Sequence, residues 1–337
     1  MQSTLQQNSQ PKKGKGIWSI LLLVVSISFT AAFWLNRQLV VDTVNYYNYK
    51  PSSTIMQIAD QVQFTDTGKF YFYADNPSVE SGLSFNISCK NKESGTAVLG
   101  CYTGDRIYIF DVNDDRLDGI EEVTAAHELL HAIYIRMSDG EKSRINELVE
   151  AEYMKLKDDT KFAKRMAYYA RTEPGERDNE LHSIIGTEVA DISQELEEHY
   201  SKYFVSRERI VAFHDFYNGA FVKLENQSKL LSKKMDALSK VIANSADKYN
   251  ADIKTLNSDI SSFNSRASSG EFKSQLQFDT ERQALVDRIA QLEADRVSIK
   301  KDEKLFNQLR TEYNSIVTQT NDLYKSIDSS LAETPQI

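Results

Sequence analysis

The stretch His127-Glu128-Leu129-Leu130-His131 carries the residue types and the spacing that can do chemistry. Two histidines four apart on a helix project from one face, so both imidazoles can reach a single Zn²⁺. The glutamate beside the first can then reach a water bound to that ion. The chain has five histidines in 337 residues, so two within one pentapeptide is a signal that its flanks must support or refuse. From Val123 to Tyr134 every position other than His127, Glu128 and His131 is uncharged, and most are apolar. That pattern suits a buried helix whose polar face is the metal site, because an unpaired charge there would be costly. Upstream, Arg106–Val112 alternates as a half-buried strand.

A catalytic zinc site needs a third protein ligand and leaves a fourth position for water. The order of strand, turn and histidine-bearing helix, with uncharged residues around H-E-x-x-H, resembles the zincin metallopeptidases. No third histidine follows at the metzincin spacing, since Ala132–Gly140 contains none. Further on, Asn179-Glu180-x-x-Ser183 at the start of a predicted helix resembles the second motif of the gluzincins, in which a glutamate on a later helix completes the site. The resemblance implies that His127, His131 and Glu180 hold Zn²⁺ and that Glu128 is the general base for hydrolysis of a peptide or protein substrate. It spans residues 97–205, about a third of the chain. Where that family usually has an aspartate after the serine to orient a zinc histidine, this chain has Ile184, so that support must come from elsewhere.

Glu188 is the alternative third ligand. It lies about 12 Å further along the same helix, so the two glutamates cannot share one ion. Leu181, Ile184, Ile185 and Val189 surround Glu180 with apolar neighbours, whereas Glu195, Glu197 and Glu198 read as a solvated face. His182 is either a catalytic donor to a transition-state oxyanion or an ordinary surface histidine.

Asp111–Glu122 imitates a calcium-binding EF-hand loop, with oxygen-bearing side chains at positions 1, 3, 5 and 12. It has Arg116 where that loop needs glycine and follows a strand instead of a helix. The better reading is a polar turn into the metal helix, with Asp118 or Gly119 near the N-cap and Glu121 and Glu122 in the first turn.

Ile17–Leu35 is an uncharged, mostly apolar run with Trp18 and Trp34 near its ends. Its nineteen residues just span a hydrocarbon core of about 30 Å. Lys12, Lys13 and Lys15 precede it and only Arg37 follows closely, so the positive-inside rule keeps the N-terminus cytoplasmic and exports the bulk of the chain. A cleaved signal peptide would have a shorter apolar region and a small-x-small site, of which Phe29–Phe33 is a poor version. Cys89 and Cys101, the only cysteines, agree with export. They lie twelve apart around the turn residues Asn91, Ser94 and Gly95, and a disulfide is their natural pairing in an oxidising compartment.

The expected fold class is α+β and predominantly helical. A cytoplasmic tail (1–16) and a transmembrane helix (17–35) precede a zincin-like domain (36–205), and a coiled-coil hairpin (206–334) follows. Phe70–Tyr73 and Ile107–Phe110 read as strands of a small sheet, and Thr172–Gly175 breaks the helices that follow Gly119. Leu224, Leu231 and Leu238 recur at seven, as do Met235, Ile242, Tyr249, Leu256 and Phe263. Leu285, Leu292, Ile299, Phe306, Tyr313 and Ile327 keep that frame after an interruption at Ser265–Gly270. Sustained heptads with two arms of similar length favour an antiparallel hairpin of roughly 80 Å. Such a hairpin is a spacer, a self-association device or a surface for a protein partner. The net charge of −9, without a basic stripe interleaved with aromatics, leaves no footprint for nucleic acid. The rival functional class is a non-enzymatic coiled-coil scaffold or adhesion protein that retains a zinc-bound fold.

Overall fold

The computed structural model describes residues 15–89, 98–160, 162–163, 166–167 and 175–329. Lys12, Lys13, the turn residues Asn91–Gly95 and the break residues Thr172–Pro174 lie outside them. The chain divides into two compact units, one formed by Met1–Phe216 with Ile327–Ile337 and the other by Tyr217–Ser326.

The first unit is α+β and mostly helical. It contains α1 (Lys15–Leu35), α2 (Arg37–Asn48), α3 (Ser53–Val62), α4 (Asp66–Ala74), β1 (Ser78–Glu80), α5 (Gly82–Ser88), β2 (Gly100–Tyr102) and β3 (Ile107–Phe110). There follow α6 (Ile120–Arg136), α7 (Asp139–Leu156), α8 (Arg177–Glu188), α9 (Gln194–Tyr200) and the first turns of α10 (Arg207–Ser269). The sheet has the order β1-β3-β2, with β1 parallel and β2 antiparallel to β3, so β2 is an edge. Ile107–Phe110 is a strand, as its alternation predicts, but Phe70–Tyr73 is not. Those four aromatics belong to α4, because Thr65 caps that helix by accepting from the Gly68 N–H at 3.1 Å. Helical spacing then buries Phe72 and Tyr73 and stacks Phe70 and Tyr73 on Tyr46 of α2.

The segment that imitates a calcium loop is a polar turn. Asp114 pairs with Arg116, a single 3₁₀ turn covers Asp115–Leu117, and Gly119 is the N-cap of α6. The Glu121 carboxylate accepts from the Val112 N–H at 2.9 Å, fastening the start of α6 to the end of the sheet. Cys89 and Cys101 are disulfide-bonded, with Cα atoms 6.0 Å apart, tying the end of α5 to the edge strand β2. Phe85 and Phe110 pack with the bridge in a small apolar cluster.

Helix α1 is 21 residues long. No single helix among the described residues is long and apolar enough to cross a membrane, but Ile20–Leu35 and Arg37–Asn48, bent by 66°, pass that test as a pair.

The second unit is a helical hairpin made of most of α10 and of α11 (Gln275–Ser326). Its cross-pairs nest inward as an antiparallel hairpin requires. Phe221 meets Tyr324 at 5.4 Å, Arg288 donates to Asp259 at 2.6 Å, and Arg266 pairs with Glu281 near the tip. Of the heptad residues, Leu224, Leu231, Leu256 and Phe263 are buried, and so are Ile316 and Leu323, which lie three positions beyond the second-arm frame; Leu285, Leu292, Ile299, Phe306 and Tyr313 of that frame are half-buried. The turn falls later than the sequence suggests. Helix α10 runs through Ser265–Ser269, and Gly270, at φ +68°, ends it with the Glu271 N–H bonded back to the Arg266 carbonyl.

Candidate metal centre

Helix α6 places His127 and His131 one turn apart, and α8 lies against it with Glu180 in its first turn. Small residues make the approach possible. A Cβ on Gly186 would come within 2.5 Å of Leu130 Cδ1 and 2.7 Å of Tyr200 Cε1, so only glycine lets α8 pack this closely. Ile184, where the gluzincin pattern has aspartate, is fully buried beside Leu181 and Ile185 in the helical core.

The His127 and His131 Nε2 atoms are 3.0 Å apart. Glu180 Oε1 is 3.4 Å from His131 Nε2, and Glu180 Oε2 is 3.7 Å from His127 Nε2. All three residues offer ligand atoms within 4.8 Å of one another, and they are the one group of three or more such residues among those described. Ligands 2.0–2.2 Å from a tetrahedral zinc stand about 3.4 Å apart. The donors therefore fit one ion, with two neutral imidazoles and one carboxylate. Glu180 is 3% exposed, and a carboxylate this deep needs cationic compensation.

Glu188, the alternative ligand, is not in this group. Its Oε2 is 3.3 Å from His214 Nε2 on α10, a carboxylate–imidazole contact at the far end of α8.

Glu128 is 6% exposed and lies between α6 and the edge strand. A Cβ on Gly100 of β2 would come within 2.7 Å of Glu128 Oε1 and 2.5 Å of Thr124 Cγ2, so a side chain there would displace the carboxylate. The disulfide at Cys101, next in sequence, holds this strand in place.

His182 is fully buried, which rules out a surface histidine. Its Nε2 is 2.9 Å from His199 Nε2, and its ring tilts against those of Tyr134 and Tyr200. Tyr200 donates to the His182 carbonyl at 2.7 Å. Burial, and then the neighbouring His199, His131 and His127, hold the His182 imidazole well below the usual histidine range. His199 is lowered to about 4, chiefly by burial and then by Lys202 and Arg144.

Two polar networks that sequence reasoning missed fix the helices. Tyr134 of α6 donates to Asn146 of α7 at 2.8 Å, and Asn146 donates to Asp178 of α8 at 2.9 Å, setting the register of all three. At the end of α6, Arg136 bridges Asp42 of α2 (2.8 and 3.0 Å) and Asp75 after α4 (2.7 Å), and donates to Tyr102 at 3.2 Å. Asp75 is nevertheless raised to about 6, because burial outweighs the pull of Arg136. The one available signal was Arg136 itself, a charge ending an otherwise apolar run.

No family model matches this chain, and no curated protein or solved structure matches it either. The molecule is thus a mostly helical α+β protein with a His-His-Glu group able to hold a metal ion.

Proposed function

We propose that this chain is a membrane-anchored, extracytoplasmic zinc metallopeptidase of gluzincin type, with the N-terminus in the cytoplasm and, as its span, the uncharged run Ile17–Leu35 of α1, which is three residues longer than the Ile20–Leu35 stretch that falls short by itself. The observation that carries the reading is the convergence of His127, His131 and Glu180 at tetrahedral spacing, with Glu128 on the same helix. Held by these three residues, Zn²⁺ would polarise a scissile carbonyl and lower the pKa of a water. The Glu128 carboxylate would be the proton carrier of this scheme, the general base toward an attacking water and then the general acid toward the leaving amine. The close approach of Gly100 limits where the Glu128 carboxylate can swing. His182, fully buried and with its ring against Tyr134 of α6, is a positioning residue in this scheme. The Cys89–Cys101 bridge supports export to an oxidising compartment.

The test is metal analysis and peptide hydrolysis on the full chain and on Glu128→Gln. Both proteins should hold about one equivalent of zinc, while the variant loses turnover by roughly 10²–10⁴-fold. Zinc far below stoichiometry after metal-replete preparation overturns the centre, and wild-type turnover in the variant overturns the mechanism. If both bind zinc and neither cleaves any peptide in a broad library, the scaffold reading replaces this one.

A further inference from the structure

A single residue, Asn36, separates helix α2 from α1, and the two sides of α2 differ in chemistry. Asp42 is 2% exposed and held by Arg136, with Asn45, Tyr46 and Tyr49 on the same side facing the folded unit. On the opposite side lie Val40, Val44 and Tyr47, flanked by Leu39 and Val41, and all five are exposed; Tyr47 is 80% exposed. A helix that spends one face on its own domain and leaves an aliphatic stripe with a tyrosine on the other needs an apolar neighbour.

The neighbour is indicated by continuity with α1. We infer that α2 lies in the lipid interface, with Val40, Val44 and Tyr47 against the bilayer and the Asp42–Arg136–Asp75 clamp holding the metal-bearing unit on that surface. This rests on the reading of α1 as the span and is independent of the peptidase activity. With α1 along the bilayer normal, a 66° bend lets the twelve residues of α2 climb only about 7 Å, so its whole length stays within the interfacial layer. At the elbow the Arg37 guanidinium sits over the Trp34 ring, 5.4 Å from its centroid, pairing an interfacial aromatic with a cation suited to lipid phosphates. The alternative, a broken span formed by both helices, would place Asp42 at membrane depth. Its ion pair with Arg136, and the packing of Tyr46 on Phe70 and Tyr73 of α4, tie α2 to the folded unit instead.

The experiment uses the full chain in phosphatidylcholine vesicles and the fluorescence of single tryptophans, since Trp18 and Trp34 are the only two present. Trp18→Phe leaves Trp34 as a reporter of the span. Trp18→Phe/Trp34→Phe/Tyr47→Trp places the reporter on α2. Vesicles carry lipids brominated either near the headgroup end of the acyl chain or near its methyl end. The Tyr47→Trp protein should lose about twofold in emission with the shallow quencher and much less with the deep one. If it is unquenched while Trp34 is quenched, α2 stands clear of the lipid and its stripe meets a protein, which overturns the inference. Stronger quenching by the deep lipid also overturns it, in favour of a broken span. If Trp34 is unquenched as well, α1 does not span and the reading beneath this inference fails.

Discussion

The hairpin and the α6–α8 packing are both helical, yet they are assembled in opposite ways. In the hairpin, buried residues recur seven positions apart, as Leu224 and Leu231, Leu256 and Phe263, and Ile316 and Leu323 do, and pairs such as Arg288–Asp259 are exposed on both sides. Around α6 and α8 the polar contacts join distant parts of the chain: Asp42, Asp75, Asn146, Asp178 and Glu180 come from three helices and a loop. The hairpin spreads its stability over many similar contacts. The centre concentrates it in a few buried charges that cannot be removed singly without leaving a partner uncompensated.

The comparison is tested most severely at the two glutamates of α8. Glu180→Ala should weaken zinc binding by well over 100-fold in competition titrations, since it removes a ligand, whereas Glu188→Ala loses a contact to His214 away from the histidines of α6 and should stay within about tenfold. A zinc-free Glu188→Ala protein would move the centre to the other end of the helix.

Arg136→Met should cost about 3–5 kcal/mol in denaturant unfolding, because Asp42 and Asp75 are then buried without their cation. A loss under 1 kcal/mol would mean that water replaces the guanidinium easily and that the clamp is not a constraint.

In the hairpin, Leu256→Ala should cost about 2–3 kcal/mol, near the low end for a buried leucine because a two-helix layer closes readily over the gap. The loss should appear as local opening by hydrogen exchange, with zinc affinity unchanged. Arg288→Ala, which breaks an exposed pair, should leave the unfolding midpoint essentially where it was. A loss of zinc in either hairpin variant would show that the two regions are energetically coupled.

The smallest effect is a pH dependence. His199 is neutral in the fold and lowered to about 4, so its contribution is fully present above the unfolded value near 6.5 and is lost as pH falls toward 4. In metal-free protein, the stability difference between wild type and His199→Asn should therefore shrink as pH drops from 7 to 4. A constant difference would mean that the His182–His199 contact does not require the neutral ring.

The sequence by itself determined what repeats locally or sits within one turn of helix. The i,i+4 histidines, the heptads, the alternation of Ile107–Phe110 and the polar turn before α6 all follow from spacing alone, because their partners lie within a few residues or one repeat. Phe70–Tyr73 misled because an aromatic run fits either period, and the deciding signal was the cap at Thr65 five residues earlier. Tertiary structure decided everything that needed two distant segments. It brought Glu180 and not Glu188 to the histidines, closed Gly100 onto Glu128, buried His182 against His199, and gave Arg136 two carboxylates from far upstream. No local pattern encodes these choices. Each is fixed by whether a polar group buried by helix packing finds its complement, and that becomes visible only when the helices are in place.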